Sequence, residues 1–124
     1  MIDFENSEFL KLRAVDPSSF SAALNPLLIP GEEIVAGFKT VRDGVVFTNK
    51  RVIAINVQGI TGKKVDYTSL PYKKIQSYSV ETAGMFDLDG ELELWFSSVG
   101  RVRFEFSSGS DLLQICALIS EQVL

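Results

Sequence analysis

The chain contains no histidine, and its 124 residues include a single cysteine, Cys116. The first absence removes the commonest metal ligand and general base. The second leaves no intramolecular disulfide and no thiol pair for a zinc site. Met1-Ile2-Asp3-Phe4-Glu5 lacks the basic start and apolar stretch of a signal peptide, and no apolar run approaches the length that spans a bilayer. A cytoplasmic domain is therefore expected. Neither a nucleophile elbow nor a P-loop is present, so catalysis would rest on carboxylates and lysines alone, and no enzymatic activity is expected.

The carboxylate cluster Asp87, Asp89, Glu91 and Glu93 in FDLDGELEL is superficially like a Ca²⁺ loop. An EF-hand needs a third ligand before its glycine and a bidentate glutamate six residues after it, where this chain has Phe96. The cluster reads instead as an acidic turn before an exposed strand face; no metal and no cofactor is expected. A pI near 4.8, without a basic platform studded with aromatic residues, argues against nucleic acid.

What the chain does have is a run of strands followed by one helix. Hydrophobic residues make up 46% of it, enough for the single core that a chain of this length builds. EEIVAGFKTV, the turn Arg42-Asp43-Gly44 and VVFT spell a hairpin, because Asp-Gly tolerates the positive φ of a tight turn. Thr48-Asn49-Lys50 makes a second tight connection into RVIAINV. Alternation predicts seven strands, near 33–41, 45–48, 51–57, 63–68, 73–81, 91–98 and 101–107. Leu92, Leu94 and Phe96 share one face with Glu91, Glu93, Trp95 and Ser97 on the other; Val102, Phe104 and Phe106 lie opposite Arg101, Arg103 and Glu105.

A terminal helix is predicted from Ser110, a plausible N-cap, to Leu124, with Leu112, Ile115, Cys116, Ile119 and Val123 as the stripe that plugs the curled sheet. Leu113, Ala117 and Leu124 form a weaker second stripe. Ahead of the strands, Asp16-Pro17 starts a helix in which Phe20, Ala23, Leu24 and Leu27 recur at helical spacing until Pro26 ends it. Residues 4–14 read as a further amphipathic stretch. Residues 1–29 are thus expected to be a helical segment whose apolar face needs a surface, and 30–124 the main domain.

Charge is divided along the chain. Residues 39–74 carry eight cations against two acids, a surplus of six, so the rest must carry a net ten negative charges to reach the overall −4. Such polarity suits an anionic partner, or the basic part of one copy meeting the acidic part of another.

Seven antiparallel strands capped by a helix is the pleckstrin homology (PH) layout. The segments VRDGVVFTNKRVIAIN, QGITGKKVDYTSLPYKKI and VETAGMFDLDGELEL resemble the small bacterial PH domain family, once catalogued as a domain of unknown function. With VDPSSFSAALNPLL before them and DLLQICALI after, the resemblance runs from Val15 to Leu124. It implies a mainly β (α+β) fold, a bent seven-stranded antiparallel barrel with a C-terminal helix and a short N-terminal helical segment. It also implies closed homo-oligomeric rings in which the N-terminal segment takes part, and a shared polar surface presented to a protein partner. The matching polar positions are Arg42, Asp43, Thr48, Asn49, Lys50, Arg51, Gly62, Lys63, Lys64, Tyr67, Tyr72, Thr82 and Asp87.

Two binding functions follow: a ring scaffold engaging a protein or peptide, or an adaptor for anionic lipid or phosphoinositide. The lipid-reading PH domains have a long basic first hairpin loop, whereas this one is Arg42-Asp43-Gly44 and carries an acid. Protein binding is the better reading. Phe20, Leu24, Leu27 and Trp95 are the expected oligomer contacts, Trp95 because alternation turns its indole away from the core.

Overall fold

A computed structural model describes residues 1–82, 90–107 and 112–124. The strands are β1 (Phe9–Val15), β2 (Ile34–Lys39), β3 (Gly44–Thr48), β4 (Arg51–Gln58), β5 (Lys64–Pro71), β6 (Ile75–Thr82), β7 (Gly90–Phe96) and β8 (Gly100–Phe106). Between β1 and β2 a short helix α1 (Ser21–Leu24) is flanked by 3-10 turns at Pro17–Phe20 and Asn25–Leu27, and α2 (Leu112–Val123) follows β8. The seven expected strands are all present, and β1 is an eighth. The expected caps of α2, Ser110 and Asp111, lie outside the described residues.

The N-terminal segment departs from its helical reading in its first half only. Asp16 caps the turn as expected, its carboxylate accepting from the Ser18 amide at 2.9 Å, and Pro26 coincides with the end of α1. Phe9–Val15, by contrast, is extended. Lys11 sits at φ 55°, within an irregularity of the β1–β8 register between Phe9 and Leu12. A bulge of this kind turns two residues three apart toward one side, so Phe9 and Leu12 are both buried. That spacing imitates a helical stripe, which is why the stretch reads as helix.

Sheet order is β5-β4-β3-β2-β1-β8-β7-β6. β1 lies antiparallel to β2, with Ala14 opposite Phe38, and parallel to β8, with Leu12 opposite Phe106. Among the described residues no pairing joins β5 to β6, so the sheet is open. It nevertheless curls around one interior, where side chains from all eight strands meet: Leu12, Phe38, Phe47, Val52, Leu70, Ile75, Leu92 and Phe104 belong to one cluster. Phenylalanine rings set its geometry, with Phe38 edge-on to Phe106 at 4.8 Å and Phe9 edge-on to Phe104 at 5.5 Å. Leu112, Ile115 and Ile119 of α2 close it, while Leu113 of the second stripe is 80% exposed.

The other face of β2–β4 is covered as well. Phe20 and Leu24 pack on Val46, Ile53 and Ile55, which explains why β3 and β4 read as near-continuous apolar runs. Gly37 permits the approach, since a Cβ there would lie 2.6 Å from the Phe20 ring. Phe20 and Leu24, expected to meet another subunit, are thus buried within their own chain. The expectation of a spare apolar face on residues 1–29 overlooked this second apolar surface of the sheet.

Left-handed backbone costs a residue with a Cβ about 1–2 kcal/mol, a penalty glycine escapes. Lys11→Gly should therefore stabilise the fold by about 1 kcal/mol at most, read as a higher urea midpoint, whereas the β-branched Lys11→Val should lower that midpoint.

Candidate interaction surface

Several polar positions expected to meet a partner hold the barrel end together instead. The carboxylate of Glu32, on the loop before β2, is buried; it accepts from Arg51 Nε at 2.9 Å, from Arg51 Nη2 at 2.9 Å and from Thr48 Oγ1 at 2.7 Å. Arg51 also donates to the Leu27 carbonyl and to Ser69 Oγ. Asn49 receives the Glu33 amide at 2.8 Å and donates to the Gly31 carbonyl, so the β3–β4 turn grips residues 28–33 from both sides. Tyr72 is fully buried and donates to the Thr48 carbonyl at 2.7 Å. Burial first, and the Glu32 charge second, push its phenol well above the ordinary range, so it remains a donor. Asn49, Arg51 and Tyr72 thus have structural work, and Tyr72 is inaccessible to a partner.

The opposite end of these strands is built from the β2–β3 and β4–β5 turns. Asp43 Oδ1 accepts the Val57 amide at 2.9 Å, and the Arg42 guanidinium donates to the Gly59 carbonyl, so the two turns lie side by side. Gly59 (φ 74°) and Gly62 (φ 66°) supply the left-handed positions of the longer turn. Val41 and Ile60, one on each turn, are almost completely exposed, and Lys63 and Lys64 stand exposed beside them. Tyr67 is partly exposed on β5, Thr82 is exposed at the end of β6, and Lys50 is exposed at the clamp end. Asp87 lies outside the described residues. The structure therefore gathers Arg42, Asp43, Lys63 and Lys64 at one end and separates Lys50 and Thr82 from them.

The outer face of β6–β8 has no cover of its own among the described residues. Trp95 is 47% exposed there, with Ser77 opposite it on β6 and Arg101 opposite it on β8. A shallow groove lined by Ser77, Ser79, Glu93, Trp95 and Arg101 runs along it. Alternation placed the indole outside correctly. Leu27, at 44% exposure, is the other expected contact that the chain leaves accessible.

The sequence model of the family described as "Bacterial PH domain" matches residues 3–123. The chain belongs to that family. Its fold is similar to the crystal structure of a DUF1696 family protein with a pleckstrin-homology domain from Shewanella loihica PV-4, with 40% identity and a TM-score of 0.79 over 93% of this chain and 99% of that one. Two relatives come from Bacillus subtilis (strain 168), and both carry the name uncharacterized protein. YozO is 36% identical over 110 residues, 89% of this chain and 95% of its own length. YjqA is 58% identical over 71 residues, 57% of this chain; the match spans only 57% of YjqA. No helix among the described residues is long and apolar enough to cross a membrane.

Membership in a PH family suggests an interaction module and directs attention to the surfaces that the described residues leave unused. The Glu32–Arg51 clamp can be tested separately. Burial would raise the Glu32 pKa, but hydrogen bonds from Arg51, Thr48 and the Ile29 amide outweigh it and lower the value. The clamp's stability is therefore fully present above the ordinary glutamate range and lost as pH falls through the lower folded-state value. Arg51→Ala, which strands a buried carboxylate, should cost about 3 kcal/mol at neutral pH. Glu32→Gln should flatten the acid limb of the stability profile in urea melts.

Proposed function

We propose that this chain is a non-catalytic PH-like interaction module that assembles into a homo-oligomeric ring and binds a protein or peptide partner through its polar surface. The observation that carries the proposal is Trp95: a half-exposed indole on the middle strand of β6–β8, over a face that the described residues leave open. Aromatic residues are enriched at protein interfaces, and truncation of a central, desolvated tryptophan costs roughly 2 kcal/mol or more of binding. Leu27 gives the N-terminal segment one exposed apolar contribution to such a contact. Arg42, Lys50, Lys63, Lys64, Tyr67 and Thr82 are the expected polar positions that a single copy leaves exposed. Trp95→Ala should shift the assembly toward smaller species in light scattering coupled to gel filtration, with an unchanged circular dichroism spectrum. A wild-type monomer at micromolar concentration overturns the ring. Truncation before Pro30 is no substitute, because it would remove β1 from the middle of the sheet.

Exposed Lys63 and Lys64 beside Val41 and Ile60 favour a second reading, adhesion to anionic lipid. Against headgroup recognition stands the short β2–β3 turn, whose acid Asp43 is already held by the Val57 amide. Vesicles containing anionic lipid should bind weakly and release the protein near physiological salt, as screened charge attraction does. Salt-resistant binding abolished by Lys63→Ala with Lys64→Ala would put lipid first.

A further inference from the structure

Glu81, Glu91 and Glu105 stand directly opposite one another across β6, β7 and β8. Neighbouring strands are only about 4.8 Å apart, and like charges facing each other there are destabilising. Arg103 pairs with Glu91, and Arg101 approaches Glu93 at 3.8 Å. This outer face therefore presents four carboxylates against two guanidinium groups, and Glu81 and Glu105 have no ion-pair partner among the described residues. Lys11 lies near the row but makes no ion pair with it.

The paired turns of the β2–β5 half are the converse. Arg42, Lys63 and Lys64 make no ion pair among the described residues, and Val41 and Ile60 on the same two turns are almost completely exposed. One half of the sheet thus carries a convex basic tip with two aliphatic side chains. The other carries an acidic strip that shares its face with Trp95. No ion pair among the described residues connects the two.

The geometry points to a second copy of this chain as the occupant of the tip: Arg42, Lys63 and Lys64 of one copy dock on the Glu81–Glu91–Glu105 strip of the next. The inference rests on the proposed ring and assigns its contact. Two different, complementary patches on one chain make a heterologous contact, which propagates head to tail and can close into a ring. An anionic bilayer would also suit the tip, but it would leave Glu81 and Glu105 without an ion pair. A second copy neutralises both, and Lys50 at the far end of the strands is left to the outside partner.

Charge reversal of each patch on the full chain tests the contact. Lys63→Glu with Lys64→Glu makes both patches acidic; Glu81→Lys with Glu105→Lys makes both basic. Each variant alone should self-associate at least about tenfold more weakly than wild type, and an equimolar mixture should recover an alternating assembly in light scattering. The circular dichroism spectrum of each variant reports whether the fold is kept. If the wild type assembles and both folded variants assemble equally well, this contact is wrong while the ring stands. A monomeric wild type removes the ring and the contact together. If Val41→Asp with Ile60→Asp abolishes sedimentation with phosphatidylserine vesicles but leaves assembly untouched, the tip faces lipid and the inference falls.

Discussion

One strip of backbone, Phe9–Val15, makes a single sheet out of two. In the hydrogen-bonded order of the described residues it is the sole link between β2–β5 and β6–β8, antiparallel to one neighbour and parallel to the other. The interior phenylalanine cluster depends on it, since Phe38 of β2 and Phe106 of β8 meet at 4.8 Å only because β1 fixes the distance between their strands. Both its buried side chains, Phe9 and Leu12, reach the core through the bulge at Lys11. Beyond the strand's end, Ser107 anchors the junction, its amide and hydroxyl both donating to the Leu12 carbonyl.

Much of the fold is legible in the residue pattern because its strands obey one local rule. Asp43-Gly44 and Thr48-Asn49-Lys50 mark turns by chemistry, and in β7 and β8 one face is buried while the other is solvated. The same rule fails where a second constraint enters. At β1 the bulge replaces a period of two with a spacing of three, which sequence alone cannot tell from a helical turn. For Phe20 and Leu24 the periodicity identifies an apolar face correctly. What it cannot supply is the surface that meets it, because β3 and β4 look equally apolar whether a second cover lies in the same chain or in another.

Site residues divide for a related reason. Asn49, Arg51 and Tyr72 look like surface chemistry because they are polar and sit beside turns. Each is instead committed to backbone groups or to Glu32, a residue without any distinguishing local pattern. The missing signal is tertiary: Glu32 lies 19 residues before Arg51, and only the folded β2–β4 meander brings them together. Trp95 was legible because its position depends on alternation alone.

The two halves of the sheet consequently have different freedom to interact. The β2–β4 strands are covered on both sides, so what they can offer is confined to their ends, where turns and lysines lie. Among the described residues the β6–β8 strands are covered only from within, and their outer face carries Trp95 and the glutamate row. Changing a residue in the doubly covered half risks the core, as Gly37 illustrates, where an added Cβ would lie 2.6 Å from the Phe20 ring. The outer face of β6–β8 bears no such packing constraint, so a half-exposed indole on it contributes little to folding. The proposed assembly gives that indole a use, because a neighbouring copy would approach the same face.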